Sequence, residues 1–238
     1  MGLLDVIGPV MVGPSSSHTA GACRLALLAR HTLRTPPTSA TLTLHGSFAK
    51  TAKGHGTDRA LAAGLLGYLP DDARIPDAPE RAARAGLTLT FAIKDLGDVH
   101  PNTVQFSLST PDEQVDMVGS SLGGGLVRVF RVDGFELNFS GAHHTLLLRH
   151  TDRPGVIATV ARVLADDAVN IVTLHCARGK RGGAAMMSLE LETAPGEHVL
   201  AYLSQLSAVA WLRLLPEVMR GEAPQNTLQV GEERNVSE

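Results

Sequence analysis

The sequence predicts an α+β protein with a largely antiparallel sheet, and three observations lead to that class. Thr and Leu alternate within residues 41–47, which is the period of a half-buried strand. Residues 58–69 are rich in Ala and Leu and predict a helix. Asp133 and Gly134 form a tight-turn pair between two strand-like runs, which predicts a hairpin.

The first segment, residues 1–141, is expected to place helices among its early strands and to end in a run of strands alone. Residues 69–79 contain three prolines and are expected to form a loop. Helices are predicted at 22–33, 58–69 and 80–85. Strands are predicted at 41–47, 87–93, 103–109, 115–120, 126–132 and 135–139.

The second segment, residues 142–216, repeats nothing from the first and has the order β-α-β-β-α-β, which predicts a ferredoxin-like fold. Residues 217–238 are polar and are expected to form a frayed tail. Helices of this segment are predicted at 156–164 and 197–206. Its strands are predicted at 144–150, 169–177, 184–192 and 209–214.

Composition excludes several classes of protein. The chain has 238 residues, a net charge of −3 and no basic block, so nucleic acid is not an expected partner. It begins without a signal peptide and has no apolar run long enough to span a membrane, so a cytoplasmic protein without a membrane partner is expected. Its two cysteines, Cys23 and Cys176, exclude a disulfide scaffold and are too few for an iron–sulfur site built by this chain alone.

The most informative run is residues 13–21, which places hydroxyls and an imidazole directly ahead of the helix predicted at 22–33. A helix start offers unpaired N–H groups and a positive dipole end, which favour a carboxylate or phosphate. N-capping would explain one hydroxyl, but four hydroxyls beside a histidine indicate a functional site. The residues concerned are Ser15, Ser16, Ser17, His18 and Thr19.

Three further clusters of polar residues lie in predicted loops. Residues 45–58 hold two imidazoles, two lysines and several glycines, and Thr57 or Asp58 is placed to cap the following helix. Residues 100–103 read His-Pro-Asn-Thr and enter a strand. The glycine run at 120–125 either contributes to the site or only turns the chain.

Histidines in such loops act as bases near neutral pH, and they also bind metals. A zinc site formed by His45, His55 and His100 is conceivable, but the spacing matches no closed metal motif. The chain is therefore expected to hold no metal of its own.

With these runs in order, the chain resembles the β chain of bacterial iron–sulfur-dependent L-serine dehydratases. The similarity covers residues 1 to about 215 and depends on the combination of short motifs. The second segment resembles an ACT domain, a regulatory module that often binds amino acids and pairs with another copy. The matching runs are 7–21, 46–47, 53–58, 100–103, 123–125 and 134–136, with 152–155 as the ACT marker.

The resemblance implies an L-serine ammonia-lyase that converts L-serine to pyruvate and ammonia. It also implies a [4Fe-4S] cluster that is held by a separate α chain, in agreement with the cysteine shortage here. His55 is the best candidate for the base that removes the α-proton, with His18 and His100 as further catalytic candidates. The implied substrate-binding residues are Ser15, Ser16, Ser17, Thr19, Lys53, Thr57, Asp58, Asn102 and Thr103.

Two alternatives stay open at this stage. The chain could be a non-catalytic protein that senses an amino acid through the ACT domain or serves as a docking platform. Within the ACT domain, the turn at 152–155 could bind an effector carboxylate at the start of the helix predicted at 156–164. Alternatively, the domain could serve only to pair with another copy in a higher oligomer. The effector candidates are Asp152, Arg153, Pro154 and Gly155.

Overall fold

The computed structural model describes residues 10–52 and 54–219, which contain two β-sheets with helices packed against them. The first sheet has six strands in the order β2-β1-β3-β4-β5-β6, and every neighbouring pair is antiparallel except β1 and β2. The predicted α+β class is thus confirmed. The strands are β1 (Ser39–Leu44), β2 (Thr88–Ile93), β3 (Thr103–Ser109), β4 (Gln114–Gly123), β5 (Leu126–Val132) and β6 (Phe135–Phe139).

Helices cover one face of this sheet and bury its apolar side chains. Alternate residues of β1, namely Ala40, Leu42 and Leu44, are buried, as the period-two pattern predicts. Leu25 and Leu28 of the first helix belong to the same core. The helices of this segment are α1 (Ala22–His31), α2 (Gly46–Thr51), α3 (Thr57–Leu65) and α4 (Ala78–Arg84).

Helix α2 differs from the prediction, which extended the strand to residue 47. The strand ends at Leu44 because the chain turns into a helix at Gly46, where the backbone N–H of Ser47 donates to Pro101 O at 2.8 Å. Phe48 is fully buried in the core on the inner face of this helix. The acceptor, Pro101 O, is distant in the sequence, so the pattern of residues around Gly46 could not predict α2.

The second sheet has four strands in the order β10-β7-β9-β8, all antiparallel, which confirms the ferredoxin-like arrangement. Its core is formed by buried side chains such as Leu146, Leu148 and Val160. Among the residues that the structure describes, no helix has the length and apolar character needed to cross a membrane. The elements are β7 (His144–Thr151), α5 (Val156–Asp166), β8 (Ile171–Arg178), β9 (Ala184–Leu191), α6 (Glu197–Gln205) and β10 (Val209–Leu215).

Two acidic residues, the buried Glu190 and the half-buried Glu113, join the halves of the molecule. Glu190 of β9 accepts hydrogen bonds from the backbone N–H and the hydroxyl of Ser140, at 2.8 and 2.7 Å. Glu113 accepts from the backbone N–H of Arg34 and forms an ion pair with Arg213 of β10, each at 2.5 Å. Because the Arg213 side chain is only 9% exposed, this ion pair is largely shielded from solvent.

We expect Glu113→Gln to lower the free energy of unfolding by about 1–3 kcal/mol, because the buried Arg213 guanidinium loses its counter-charge. The single tryptophan, Trp211, lies 4.8 Å from that guanidinium and reports unfolding by fluorescence in urea. Asp112→Asn, on the exposed neighbouring residue, is the control and should leave the stability unchanged. Equal stability of the two variants would contradict the prediction.

Candidate active site

Within the run at residues 13–21, Ser16–Gly21 forms a π-helical turn that continues directly into α1. The helix therefore begins six residues before the predicted start, and four of the predicted site residues lie inside it rather than ahead of it. Ser15 is the N-cap in extended conformation, and its hydroxyl accepts from the His18 N–H at 3.3 Å. A π-helical turn is rare and is frequent at functional sites.

His18 lies at the centre of this turn, with hydroxyls at both ring nitrogens. Its Nδ1 is 3.1 Å from Ser17 Oγ and 3.3 Å from Ser15 Oγ, and its Nε2 is 3.1 Å from Ser47 Oγ. The ring also packs edge-on against Phe48, at 5.4 Å between centroids. Since only 9% of the residue is exposed, the orientation of the ring is fixed from every side.

His55 is the second imidazole of the site and lies in the loop between α2 and α3. Its ring is 5.0 Å from the His18 ring at an interplanar angle of 76°, and it is exposed. The Thr19 hydroxyl donates to the His55 carbonyl at 3.4 Å, which ties this loop to the π-helical turn. Burial, together with the electrostatic effect of the neighbouring His55, lowers the pKa of His18 and so favours its neutral form.

A cavity of about 160 Å³ opens beside His55. It is smaller than the roughly 300–1,000 Å³ of typical ligand pockets, and therefore suits a small molecule. Arg59, in the first turn of α3, lines it and supplies a cation that the sequence analysis did not single out, although it directly follows the motif at 53–58. The lining residues are Val12, Gly13, Pro14, Thr19, Gly54, His55, Gly56, Arg59, Ile75 and Pro76.

The loop with His100, Asn102 and Thr103 lies beside Ser47. Within it, the Asn102 N–H donates to His100 Nδ1 at 3.1 Å, and the Thr103 hydroxyl donates to His100 O and lies 2.6 Å from Ser120 Oγ. The Asn102 carbonyl accepts from the Ser121 N–H at 2.9 Å. The carbonyl of Pro101 in this loop accepts from the Ser47 N–H at 2.8 Å, and the Ser47 hydroxyl lies 3.1 Å from His18 Nε2. The exposed His100 side chain itself accepts only from the Asn102 N–H among the described residues.

The predicted capping of α3 by Thr57 or Asp58 is wrong. Gly56 is the N-cap, with φ of 70° and no capping side chain, because a left-handed residue closes this turn. Asp58 accepts from the Arg59 N–H at 2.9 Å, while the buried Thr57 hydroxyl has no hydrogen-bond partner within the described ranges. Lys53, also predicted to bind substrate, lies outside the described residues.

The residues present do not fit an iron–sulfur cluster. Cys23 is fully buried in α1, its thiol donates to Tyr68 O at 3.2 Å, and burial raises its pKa to about 12. Cys176 lies on β8 of the other sheet. His45 is held by the Leu96 N–H at 3.1 Å, and residues 10–52 and 54–219 contain no group of three side chains placed to hold a metal ion.

In the second segment, the predicted effector turn is tied to the hairpin between β8 and β9. Asp152 accepts from the Gly182 N–H at 3.1 Å and from Arg178 at 3.3 Å, and these bonds lower the pKa of the Asp152 carboxyl. Arg153 donates to Ser207 Oγ at 2.9 Å. Pro154 and Gly155, the latter with φ of 89°, lead into α5.

The fold and the site together define a class of protein in which an α+β segment carries a site of hydroxyls and imidazoles and is followed in the chain by a ferredoxin-like segment. Residues 4–92 match the family model described as serine dehydratase beta chain, and residues 144–207 match the ACT domain model. The chain belongs to the L-serine dehydratase beta chain family and carries a C-terminal ACT domain.

The relatives that support this assignment are similar over most of the chain. The probable L-serine dehydratase beta chain of Bacillus subtilis (strain 168) is 41% identical over 204 residues, 86% of this chain and 93% of that protein. The L-serine dehydratase beta chain of Peptoniphilus asaccharolyticus is 42% identical over 190 residues, 79% and 86% of the two chains. L-serine dehydratase 2 of Escherichia coli (strain K12) is 40% identical over 74 residues, 29% of this chain but only 16% of that protein.

The contact between the two histidines predicts a measurable coupling. We expect the pKa of His18 to lie below 6.5, and His55→Ala to raise it part of the way back, because burial is the larger cause and remains. NMR titration of histidine-labelled protein measures both values. His18 takes up a proton at higher pH in the unfolded state than in the folded state. The contribution of neutral His18 to the free energy of unfolding is therefore complete above pH 6.5 and is lost as the pH falls through the lowered pKa.

His175→Ala is the control, since that residue lies on exposed β8. It should leave the His18 titration unchanged. A His18 pKa at or above 6.5 in the wild-type protein would contradict the prediction.

Proposed function

We propose that this chain is the β subunit of an L-serine ammonia-lyase, which converts L-serine to pyruvate and ammonia together with an α chain that holds a [4Fe-4S] cluster. The observation that carries the proposal is the pair of imidazoles, His18 and His55, set among serine hydroxyls in a member of this family. The names of the relatives support serine as substrate and a second chain as partner.

The residues of this chain would bind and orient serine. Arg59 and Thr19 line the cavity beside His55, where Arg59 would pair with the carboxylate and the Thr19 hydroxyl would contact the amino group. The hydroxyls of residues 15–17 do not line this cavity and would contact the substrate from the adjoining π-helical turn. His55 is exposed toward the cavity and would accept the α-proton on its ring nitrogen. Loss of the substrate hydroxyl as water would leave an enamine, whose imine tautomer hydrolyses to pyruvate and ammonia.

His18 would act as an orienting group rather than as the base. Its lowered pKa makes it a weaker proton acceptor than an ordinary imidazole. Its hydrogen bonds to Ser15, Ser17 and Ser47 hold those hydroxyls in place. His100, Asn102 and Thr103 would extend the polar wall from the adjoining loop.

The cluster is assigned to the partner because residues 10–52 and 54–219 offer no ligand set for it. Cys23 and Cys176 lie in different segments of the fold, and Cys23 is buried as a neutral thiol. We further propose the division of the chain into a serine dehydratase domain at 1–141, an ACT domain at 142–216 and a tail at 217–238. The expected fraying does not extend to the first residues of this tail, because Val218 and Met219 are buried in the core of the first segment. The hydrogen bond between Ser140 and Glu190 lies at the first of these boundaries.

The test is turnover by the chain coexpressed with its α chain under anaerobic conditions. We expect pyruvate and ammonia from L-serine, and a fall in kcat of at least about 100-fold in His55→Ala, because the base is lost. His198→Ala, an exposed histidine on α6, should retain wild-type kcat.

A complex with an intact cluster that releases no pyruvate would overturn the proposed activity. It would then favour the alternative function, an amino-acid-sensing or docking protein. Unchanged turnover in His55→Ala would remove the assignment of His55 as the base while leaving the activity in place.

The ACT domain is proposed to pair with a second copy through β8, which is an edge strand of its sheet. Val172 and Leu174 on this strand are 44% and 38% exposed, and an uncovered edge with apolar side chains is a template for strand pairing. The Asp152 carboxylate is already engaged by Gly182 and Arg178. This favours pairing over effector binding as the function of the turn.

We expect the double variant Val172→Lys, Leu174→Lys to halve the mass measured by sedimentation, since charges on the edge oppose pairing. Ile157→Lys on α5, at a similarly exposed position, is the control and should keep the wild-type mass. An unchanged mass in the double variant would contradict pairing through β8. Calorimetric heat on adding L-serine that disappears in Asp152→Asn would restore the effector function.

A further inference from the structure

The run at residues 120–125 is the sequence cluster that the proposed chemistry does not use, and it begins with two buried serines at the end of β4. The hydroxyl of Ser120 lies 2.6 Å from that of Thr103. The hydroxyl of Ser121, in contrast, has no hydrogen-bond partner among the described residues. Because an unsatisfied buried hydroxyl lowers stability, hydrogen bonding does not explain the Ser121 side chain, and its packing has to be considered instead.

The Ser121 side chain packs directly on Gly21, the last residue of the π-helical turn. A Cβ placed on Gly21 would lie 2.0 Å from Ser121 Oγ and 2.7 Å from Ser121 Cβ. Rotation of the hydroxyl cannot relieve the second of these contacts, because the Cβ of Ser121 is fixed to its strand. The next nearest atom, the carbonyl oxygen of Ser16, would be at an ordinary contact distance of 3.6 Å. Ser121 therefore occupies the space that a side chain at position 21 would need.

The backbone conformation of Gly21 does not itself require glycine. Its φ of −63° and ψ of −41° lie in the right-handed helical region, which every residue type adopts. Alanine is a better helix former than glycine at such a position, because glycine loses more conformational freedom on folding. The glycine is therefore explained by the close approach of Ser121 and not by the path of the chain.

The end of β4 supports two parts of the candidate active site at once. On one side, Ser121 contacts the π-helical turn, in which His18 lies three residues before Gly21. On the other side, the Ser121 N–H donates to Asn102 O at 2.9 Å, in the loop that carries His100. A change in the packing of Ser121 on Gly21 therefore moves the turn relative to this loop.

We propose that Ser121 is a positioning residue, whose side chain seats the π-helical turn against β4 through Gly21 and so sets the place of His18 and Thr19 in the site. The effect on catalysis rests on the proposed function, whereas the seating of the turn rests on the contacts alone. A contact that acts through shape has a distinctive property. Moving the side chain from the strand to the turn restores the contact, because the same space is filled from the other side.

The test compares Gly21→Ala, Ser121→Gly and the double variant, each assembled anaerobically with the α chain. We expect Gly21→Ala to lower kcat/KM for L-serine about 100-fold, because the new Cβ displaces the turn and misplaces the groups that it carries. Ser121→Gly should lower kcat/KM about tenfold, because the turn loses its support. The double variant should be more active than either single variant, since the methyl group on the turn fills the space that the strand vacates.

The titration of His18 by NMR is a second readout that needs neither the α chain nor turnover. We expect the pKa of His18 to rise toward 6.5 in both single variants, because a displaced turn buries the ring less, and to return to the wild-type value in the double variant. Ser121→Ala is the matched control, since it removes only the unpaired hydroxyl and keeps the Cβ. It should stay close to wild type in both measurements.

Gly179→Ala, where the nearest atom to the added Cβ would be 3.7 Å away, is the control for a glycine substitution and should leave kcat/KM and the His18 pKa unchanged. Unfolding midpoints check that the variants fold, and Ser121→Gly with the double variant carries the test if Gly21→Ala does not. Wild-type turnover and His18 pKa in Gly21→Ala, or a double variant no better than the weaker single variant, would overturn the positioning role. A wild-type complex without turnover, in which the His18 pKa still follows the expected pattern, would overturn the proposed activity and leave the seating of the turn in place.

Discussion

The candidate site depends on one constraint, which is the enclosure of the His18 ring between hydroxyls from two segments of the chain. Ser15 and Ser17 reach one ring nitrogen from the π-helical turn, and Ser47 reaches the other from the start of α2. Each of these segments is itself held in place by another contact. The turn packs on Ser121, and α2 begins on the carbonyl of Pro101. A buried imidazole needs partners for both nitrogens, so the fold brings these segments to one point.

The same constraint explains why the polar groups gather at one end of the strands of the six-stranded sheet. In an antiparallel sheet, the end of one strand and the beginning of its neighbour lie side by side. The end of β1 leads to His45 and Ser47, the loop before β3 carries His100, and β4 ends at the glycine run 123–125. Loops that are far apart in the sequence therefore meet without any long insertion. The strands give a rigid base, and the chemistry is confined to their connections.

Local patterns predicted most of the fold, whereas the geometry of the site depended on contacts between distant residues. The strands at 103–109, 126–132 and 135–139 match the prediction at both ends, because alternation and the turn at Asp133 and Gly134 are encoded within a few residues. The residue types at 15–19 indicated a site, but the π-helical turn and α2 form against Ser121 and Pro101, which the local sequence does not reveal. Ser47 was seen only as part of a motif and Arg59 was not singled out, since their roles follow from the position of His18 and of the cavity.

Burial also explains why this chain and its partner would divide the chemistry. The site lies where α1 starts, and α1 is packed so completely into the core that Cys23 is a neutral thiol with its pKa at about 12. A helix that anchors the π-helical turn in this way has no exposed thiolate to offer a metal cluster. In the proposed function, the cavity beside His55 would hold a small polar molecule, with His18 in contact with the His55 ring. In the proposed enzyme, this chain would supply the rigidly placed binding groups and the α chain would supply the ligands of the cluster.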